Sequence, residues 1–292
     1  MNRIKGILYA AVSSSTFGLA PFFSITLLLA GFSAFEVLSY RWGVAAIVLT
    51  LFGWCSGCNF RLAKKDLLVV FLLSLLRATT SFSLLIAYQN IATGVASTIH
   101  FMYPLAVALA MMFFFREKKS LLVILAVLMS LLGAALLSLG ELEAKSGNTM
   151  VGLVAACVSV FSYAGYIVGV RTTRAVQINS TALTCYVMGL GTIFYLIGAY
   201  CTSGLQLVSD GYTWLIILGL ALPATAISNI TLVRAIKYAG PTLTSILGAM
   251  EPLTAVVIGV FVFKELFTLN SVIGILLILL AVGMVVFRKQ KS

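Results

Sequence analysis

Ten apolar stretches of about 20 residues, separated by short polar or charged breaks, run the length of this chain, and no other feature restricts its fold as much. A hydrocarbon layer about 30 Å thick is crossed by roughly 20 helical residues. The stretches predict helices over Gly6 to Leu29, Ala34 to Trp54, Leu67 to Ala87, Gly94 to Phe114 and Leu121 to Leu139. After the polar connection Gly140 to Thr149, five more follow: Met150 to Val170, Ser180 to Cys201, Trp214 to Ala235, Pro241 to Phe263 and Ser271 to Phe287. Among the 292 residues 61% are hydrophobic and 9% charged, against about 25% charged in soluble domains, so lipid is the solvent for most of this surface. Nothing remains to form a soluble domain. The expected fold is an all-α integral membrane protein with ten transmembrane helices.

A formal charge of +11 would suggest nucleic acid in a soluble protein, but the basic residues lie at alternate membrane edges. With the amino terminus inside, Arg3, Lys5, Arg61, Lys64, Lys65, Arg116, Arg171, Arg174, Arg234, Lys237 and Arg288 all fall at inner edges, as do Lys118, Lys119, Lys289 and Lys291. Only Lys145 and Lys264 fall outside, while Arg41 and Arg77 lie within helices. The excess excludes a nucleic-acid partner and puts both termini in the cytoplasm of a cell (inner) membrane protein. Arg3 and Lys5 before an apolar run resemble a signal peptide, yet no small-residue cleavage site follows, so the first helix is read as uncleaved. Cys55 and Cys58 have redox-pair spacing without the soluble βαβ context, and are read as inert thiols.

The two halves resemble each other. An offset of 148 pairs Ser97 with Ser245, Met102 with Met250, Pro104 with Pro252, Phe115 with Phe263 and Glu117 with Glu265. An offset of 146 pairs Gly6 with Gly152, Ser13 with Ser159, Tyr40 with Tyr186, Gly43 with Gly189 and Cys55 with Cys201. The repeats are set at residues 1–145 and 146–292. Because each has five helices, an odd number, the second lies upside down relative to the first. Inverted repeats characterise secondary transporters, in which exchange of conformation between the halves moves access from one side to the other around a midplane site.

Away from the span ends, four ionisable groups fall inside predicted spans, where a charge costs about 2.5–3.5 kcal/mol unless it faces a cavity or partner. Arg77 lies mid-helix in a polar stretch with Ser81, whose repeat mate carries Ser228 and Asn229. It is either an anchor for a substrate carboxylate or phosphate, with Ser228 and Asn229 supplying hydrogen bonds, or half of a salt bridge with Glu251. Glu251 precedes Pro252 where a kink exposes carbonyls; it is either a coupling or amine-binding carboxylate or a packing partner of Arg41 or Arg77. Arg41 lies a third of the way in, placed to snorkel or reach Glu36 in a structural role. His100 is the one histidine, with no second ligand for a metal, and Tyr103 offers an aromatic face to a cavity.

Several of these residues carry a family resemblance: Arg41, the turn from Ala87 to Gly94, Pro104-Leu105 and Glu117 in the first half, then Ala235 to Gly240, Glu251-Pro252-Leu253 and Lys264-Glu265 in the second. In this order and spacing they resemble the EamA-type branch of the drug/metabolite transporter superfamily over nearly the whole chain. The resemblance implies a carrier with a central cavity between its halves, cytoplasmic termini and no cofactor. Arg77 and His100 stand outside the shared pattern and are candidate specificity determinants. The expectation is an alternating-access carrier, an exporter of a small polar metabolite such as an amino acid or related carboxylate, acting as a monomer or weak homodimer. A channel or exchanger for drug-like or nucleotide-type metabolites is the alternative. A membrane enzyme lacks a Ser/His pair, a metal cluster or a phosphate loop in the sequence.

Overall fold

A computed structural model describes residues 2–117, 120–138, 147–202, 204–254, 257 and 268–286, and among them there is helix and no strand. Lys118, Lys119, Lys145, Phe263, Lys264, Glu265, Phe287, Arg288, Lys289 and Lys291 lie outside the described residues. The spans are α1 (Asn2–Phe17, resuming as Ala20–Leu29), α2 (Ala34–Cys55), α3 (Leu67–Asn90), α4 (Thr93–His100, resuming as Tyr103–Phe114) and α5 (Leu121–Ser138). The second set is α6 (Thr149–Thr172), α7 (Ser180–Thr202), α8 (Gly211–Ala221, a π-helical turn Leu222–Ile227, then Ser228–Ala239), α9 (beginning Pro241–Leu247) and α10 (Leu269–Val286).

Helix starts follow ordinary capping. The Ser33 hydroxyl accepts from the Glu36 N–H while the Ser33 N–H donates to the Glu36 carboxylate at 2.8 Å, a reciprocal box opening α2. Asn148 caps α6 and Asp210 caps α8, and the Thr213 backbone N–H on Asp210 holds its carboxyl below the usual carboxylate range. Between α8 and α9 the chain turns at Gly240 with φ +87°, a conformation that favours glycine.

The outward faces are apolar, while the inward faces hold the polar side chains among aliphatic and aromatic ones: Phe161 on α6 is 72% exposed, and Ser159 and Tyr163, two residues to either side, are buried. That is the arrangement lipid demands.

The packing reveals the symmetry. The principal pairs are α3 with α6, α1 with α8, α2 with α7 and α5 with α10. Exchanging the halves turns the α3/α6 pair into α8/α1 and maps α2/α7 and α5/α10 onto themselves, as a pseudo-two-fold axis between the halves requires. The close approaches obey the same operation. A Cβ on Gly6 would lie 2.6 Å from the Ala239 Cβ, and one on Gly152 2.5 Å from Ile91, each partner displaced by the repeat offset. Likewise the Tyr40 hydroxyl donates to the Gln206 carbonyl, and its mate Tyr186 donates to the Phe60 carbonyl.

Gly6 and Ala239 share their end of the bundle with the basic edges. There Arg174 bridges Asp66 at 3.1 Å, Arg171 donates to the Lys237 carbonyl, Lys237 to the Ile178 carbonyl, and Thr242 to Glu117. At the opposite end the Asn148 N–H donates to the Asn90 side chain.

Three spans break where a proline removes a backbone donor and crowds the carbonyl four residues earlier. The breaks precede Pro21 in α1, Pro104 in α4 and Pro252 in α9, so the crowded positions are Phe17, His100 and Gly248. In α8, Pro223 lies in the first two positions of the π-helical turn. Two runs that read as unbroken in hydropathy, Gly6 to Leu29 and Gly94 to Phe114, are therefore each two half-helices, and their junctions face the axis.

Candidate functional site

Arg77 occupies the centre of this arrangement. It is 1% exposed, and its guanidinium carbon lies 5.4 Å from the Phe17 ring centre and 5.0 Å from that of Tyr163. Phe17 and Tyr163 are repeat mates, 146 residues apart. Its Nε donates to the Asn229 side-chain oxygen at 2.9 Å and its Nη1 to the Ser81 hydroxyl at 3.1 Å, and these two are mates as well, 148 apart. One guanidinium thus lies against a pair of mated rings and bonds to a pair of mated polar groups, which places it on the pseudo-two-fold axis. Each cation–π contact contributes about 2 kcal/mol when desolvated, which lowers the cost of burying the charge without neutralising it.

Next to it, Tyr103 and Glu251 are repeat mates too, each preceding its half's proline, and the Tyr103 hydroxyl donates to Glu251 at 3.4 Å. Tyr103 packs edge-on against Tyr163, with ring centres 4.6 Å apart. His100 stacks on Tyr163 at 5.4 Å, and its Nδ1 lies 2.8 Å from the Ser159 hydroxyl, while its buried Nε2 has no hydrogen-bond partner among the described residues. The mate of His100 is Gly248, and there a side chain would collide with the Tyr103 hydroxyl. Large groups of the first half therefore extend into room left by small residues of the second.

Two small cavities flank Phe17. One of about 60 Å³ is lined by Tyr88, Ser97, Thr98, His100, Glu251 and Pro252 among others. The other, about 20 Å³, is lined by Ser24, Arg41, Arg77, Thr80, Ser81 and Tyr88. A water needs about 10–15 Å³ on this measure, so together they hold only a few. In this conformation these two cavities leave little room around their polar groups.

Several sequence expectations change here. Arg41 does not reach Glu36, whose carboxylate is taken by the Ser33 and Gln206 backbone N–H groups. Instead Arg41 is 5% exposed, donates from Nε to the Thr225 hydroxyl at 2.7 Å and lines the smaller cavity. It points inward because the π-helical turn after Pro223 presents Thr225 to it. No carboxylate oxygen among the described residues lies within 4.0 Å of Arg41 or Arg77, so the Arg77–Glu251 salt bridge is not formed. Ser228 lines neither cavity; its carbonyl accepts from Ser13 at 2.8 Å and joins α8 to α1. Phe17, Thr225 and Ser24 were not singled out as site residues. The signal for Phe17 was present: it is the mate of Tyr163 and stands four residues before Pro21, as His100 does before Pro104.

With the geometry established, comparison with known proteins decides the family. The model of the EamA-like transporter family matches residues 4–139 and again 150–287. The chain belongs to the EamA-like transporter family. A crystal structure of another protein superposes on this EamA-like transporter with a TM-score of 0.79 at 16% identity, covering 97% of this chain and 96% of that one. At that identity the likeness shows the fold alone. No curated protein sequence matches the chain. Among the described residues no group of His, Cys, Asp and Glu is placed to hold a metal ion.

Proposed function

We propose that this EamA-like transporter is an alternating-access carrier, exporting a small polar metabolite with a negatively charged group, an amino acid or related carboxylate, that binds Arg77. The observation that supports this most is the buried Arg77 guanidinium without an ion-pair partner among the described residues. An unpaired charge in a low-dielectric interior costs several kcal/mol. Rings and neutral hydrogen bonds offset part of that, and a substrate anion offsets the remainder.

The axial position of Arg77 suits alternating access. A group that touches mated residues of both halves keeps equivalent surroundings when the halves exchange conformations, so the anion stays held while access changes sides. The mated bonds from Tyr40 to the Gln206 carbonyl and from Tyr186 to the Phe60 carbonyl each join the two halves, and in this reading an exchange of conformation between the halves releases one of them. In this reading the protein sits in the cell (inner) membrane as a monomer or weak homodimer with both termini cytoplasmic, and needs no partner but substrate and lipid.

The test is counterflow in proteoliposomes, with unlabelled amino acids and carboxylates inside and labelled ones outside. A carrier saturates and shows exchange stimulation; a channel shows neither. Arg77→Gln lowers transport about thirtyfold or more, as expected for removal of one member of a buried charge pair, while Arg77→Lys retains part of it. Undiminished transport by Arg77→Gln, with the protein folded by gel filtration, overturns the assignment.

A further inference from the structure

The smaller cavity contains two guanidiniums and no acid among its lining residues. Arg41 and Arg77 lie over the same Phe17 ring, their guanidinium carbons 5.6 and 5.4 Å from its centre. Both cations line one cavity, and like charges repel more strongly in a low-dielectric interior than in water. Arg77 has its hydrogen bonds to Asn229 and Ser81. Arg41 has one, to Thr225, and its buried Nη2 has no partner among the described residues. The hydroxyl of Thr225 in turn donates to the Leu220 carbonyl at 2.8 Å, so it can accept from Arg41 without competing for that proton. The guanidinium is held by one edge and leaves a donor over.

We propose that Arg41 is a second anion-anchoring residue and that the substrate bears two negative charges, as a dicarboxylate or a phosphate monoester does, which Arg41 and Arg77 take together. The proposal rests on Arg77 being the first anchor. A single carboxylate neutralises one guanidinium and leaves the other bare in the same cavity. A dianion neutralises both, and the cavity hydroxyls of Ser24 and Ser81 offer further donors to its remaining oxygens. Phe17 lies against both cations and lines both cavities, so a substrate that bridges them displaces its ring toward the larger cavity.

The experiment uses the full-length protein in detergent at about pH 7.5, where both carboxylates of a dicarboxylate are ionised. Dissociation constants are read from ligand-dependent thermal stabilisation for two matched pairs: glutarate with its monoamide, and glycerol 3-phosphate with its methyl diester. The wild type binds at least one dianion about tenfold or more tighter than its monoanionic mate, about 1.4 kcal/mol. Which pair shows the preference separates the dicarboxylate source from the phosphate source. In Arg41→Gln the preference falls to about one while monoanion affinity persists; in Arg77→Gln both ligands of the pair are lost. Equal affinities in the wild type, or an Arg41→Gln that weakens both members by the same factor, overturn the proposal. Should Arg41→Gln fail to fold, the wild-type ratio and Arg41→Lys, which keeps the charge but loses the planar fork, decide the matter. Arg77-dependent monoanion binding without dianion preference removes only the Arg41 role; absence of any anion binding removes the Arg77 reading as well.

Discussion

Replacing Gly6 or Gly152 with leucine tests the symmetry on which the carrier reading depends. Gly6 closes the α1/α8 contact at one end of the bundle and Gly152 the α6/α3 contact at the other. At Gly6 the first added carbon would stand 2.6 Å from the Ala239 Cβ and 2.7 Å from its backbone nitrogen. At Gly152 it would stand 2.5 Å from Ile91 and 3.1 Å from Asn90. At Gly6 the clash is with backbone, which no side-chain rotation relieves; at Gly152 both γ carbons of the branched Ile91 and the Asn90 Cβ, which is fixed to its backbone, stand in the way, so in each case the helices must separate. Overpacking of this kind costs about 3 kcal/mol at the upper end of its usual range, and replacing a helical glycine returns about 1 kcal/mol. The net loss is about 2 kcal/mol in each variant. At about 2–4 °C per kcal/mol, the apparent melting temperature falls by about 4–8 °C. Gly189→Leu is the control, since nothing lies within 4 Å of a Cβ there, and it stays near the wild type. Melting followed by fluorescence-detected gel filtration reads all three. If Gly6→Leu and Gly152→Leu melt no lower than Gly189→Leu, the reciprocal packing does not exist as described. If only one does, the halves are not equivalent.

Phe17→Ala removes a ring packed against two guanidiniums and shared by the two cavities; the lost packing amounts to about 3–5 kcal/mol, and an unchanged melting temperature would show that the ring is not held there. Reporter tags at the two ends are expected to report the cytoplasmic side for both, since the basic edges gather with the amino-terminal turn; tags on opposite sides would refute the even number of spans.

Hydropathy settled that this chain folds as membrane helices, because a charged fraction of 9% and runs of 20 apolar residues leave no other solvent than lipid. The offsets of 146 and 148 announced two homologous halves, and five helices per half forced the second to invert. Arg77, Ser81, Asn229, Tyr103 and Glu251 were legible as site candidates for one reason: polar groups at mid-span are expensive and stand out. Arg41 was misplaced because depth along a helix can be counted from sequence but direction around it cannot. That direction was decided by the π-helical turn at Pro223, which presents Thr225 to receive it. Phe17 was overlooked because an apolar residue in an apolar run carries no local signal; only its mate Tyr163 and the Arg77 guanidinium that lies over both rings reveal its place. The sequence determined the solvent, the number of spans and their duplication, since these depend on composition and order along one dimension. The meeting of mated residues on a common axis, and the two cations that share one ring there, required the helices to pack, because contact across a pseudo-two-fold axis joins residues some 150 positions apart that no local pattern connects.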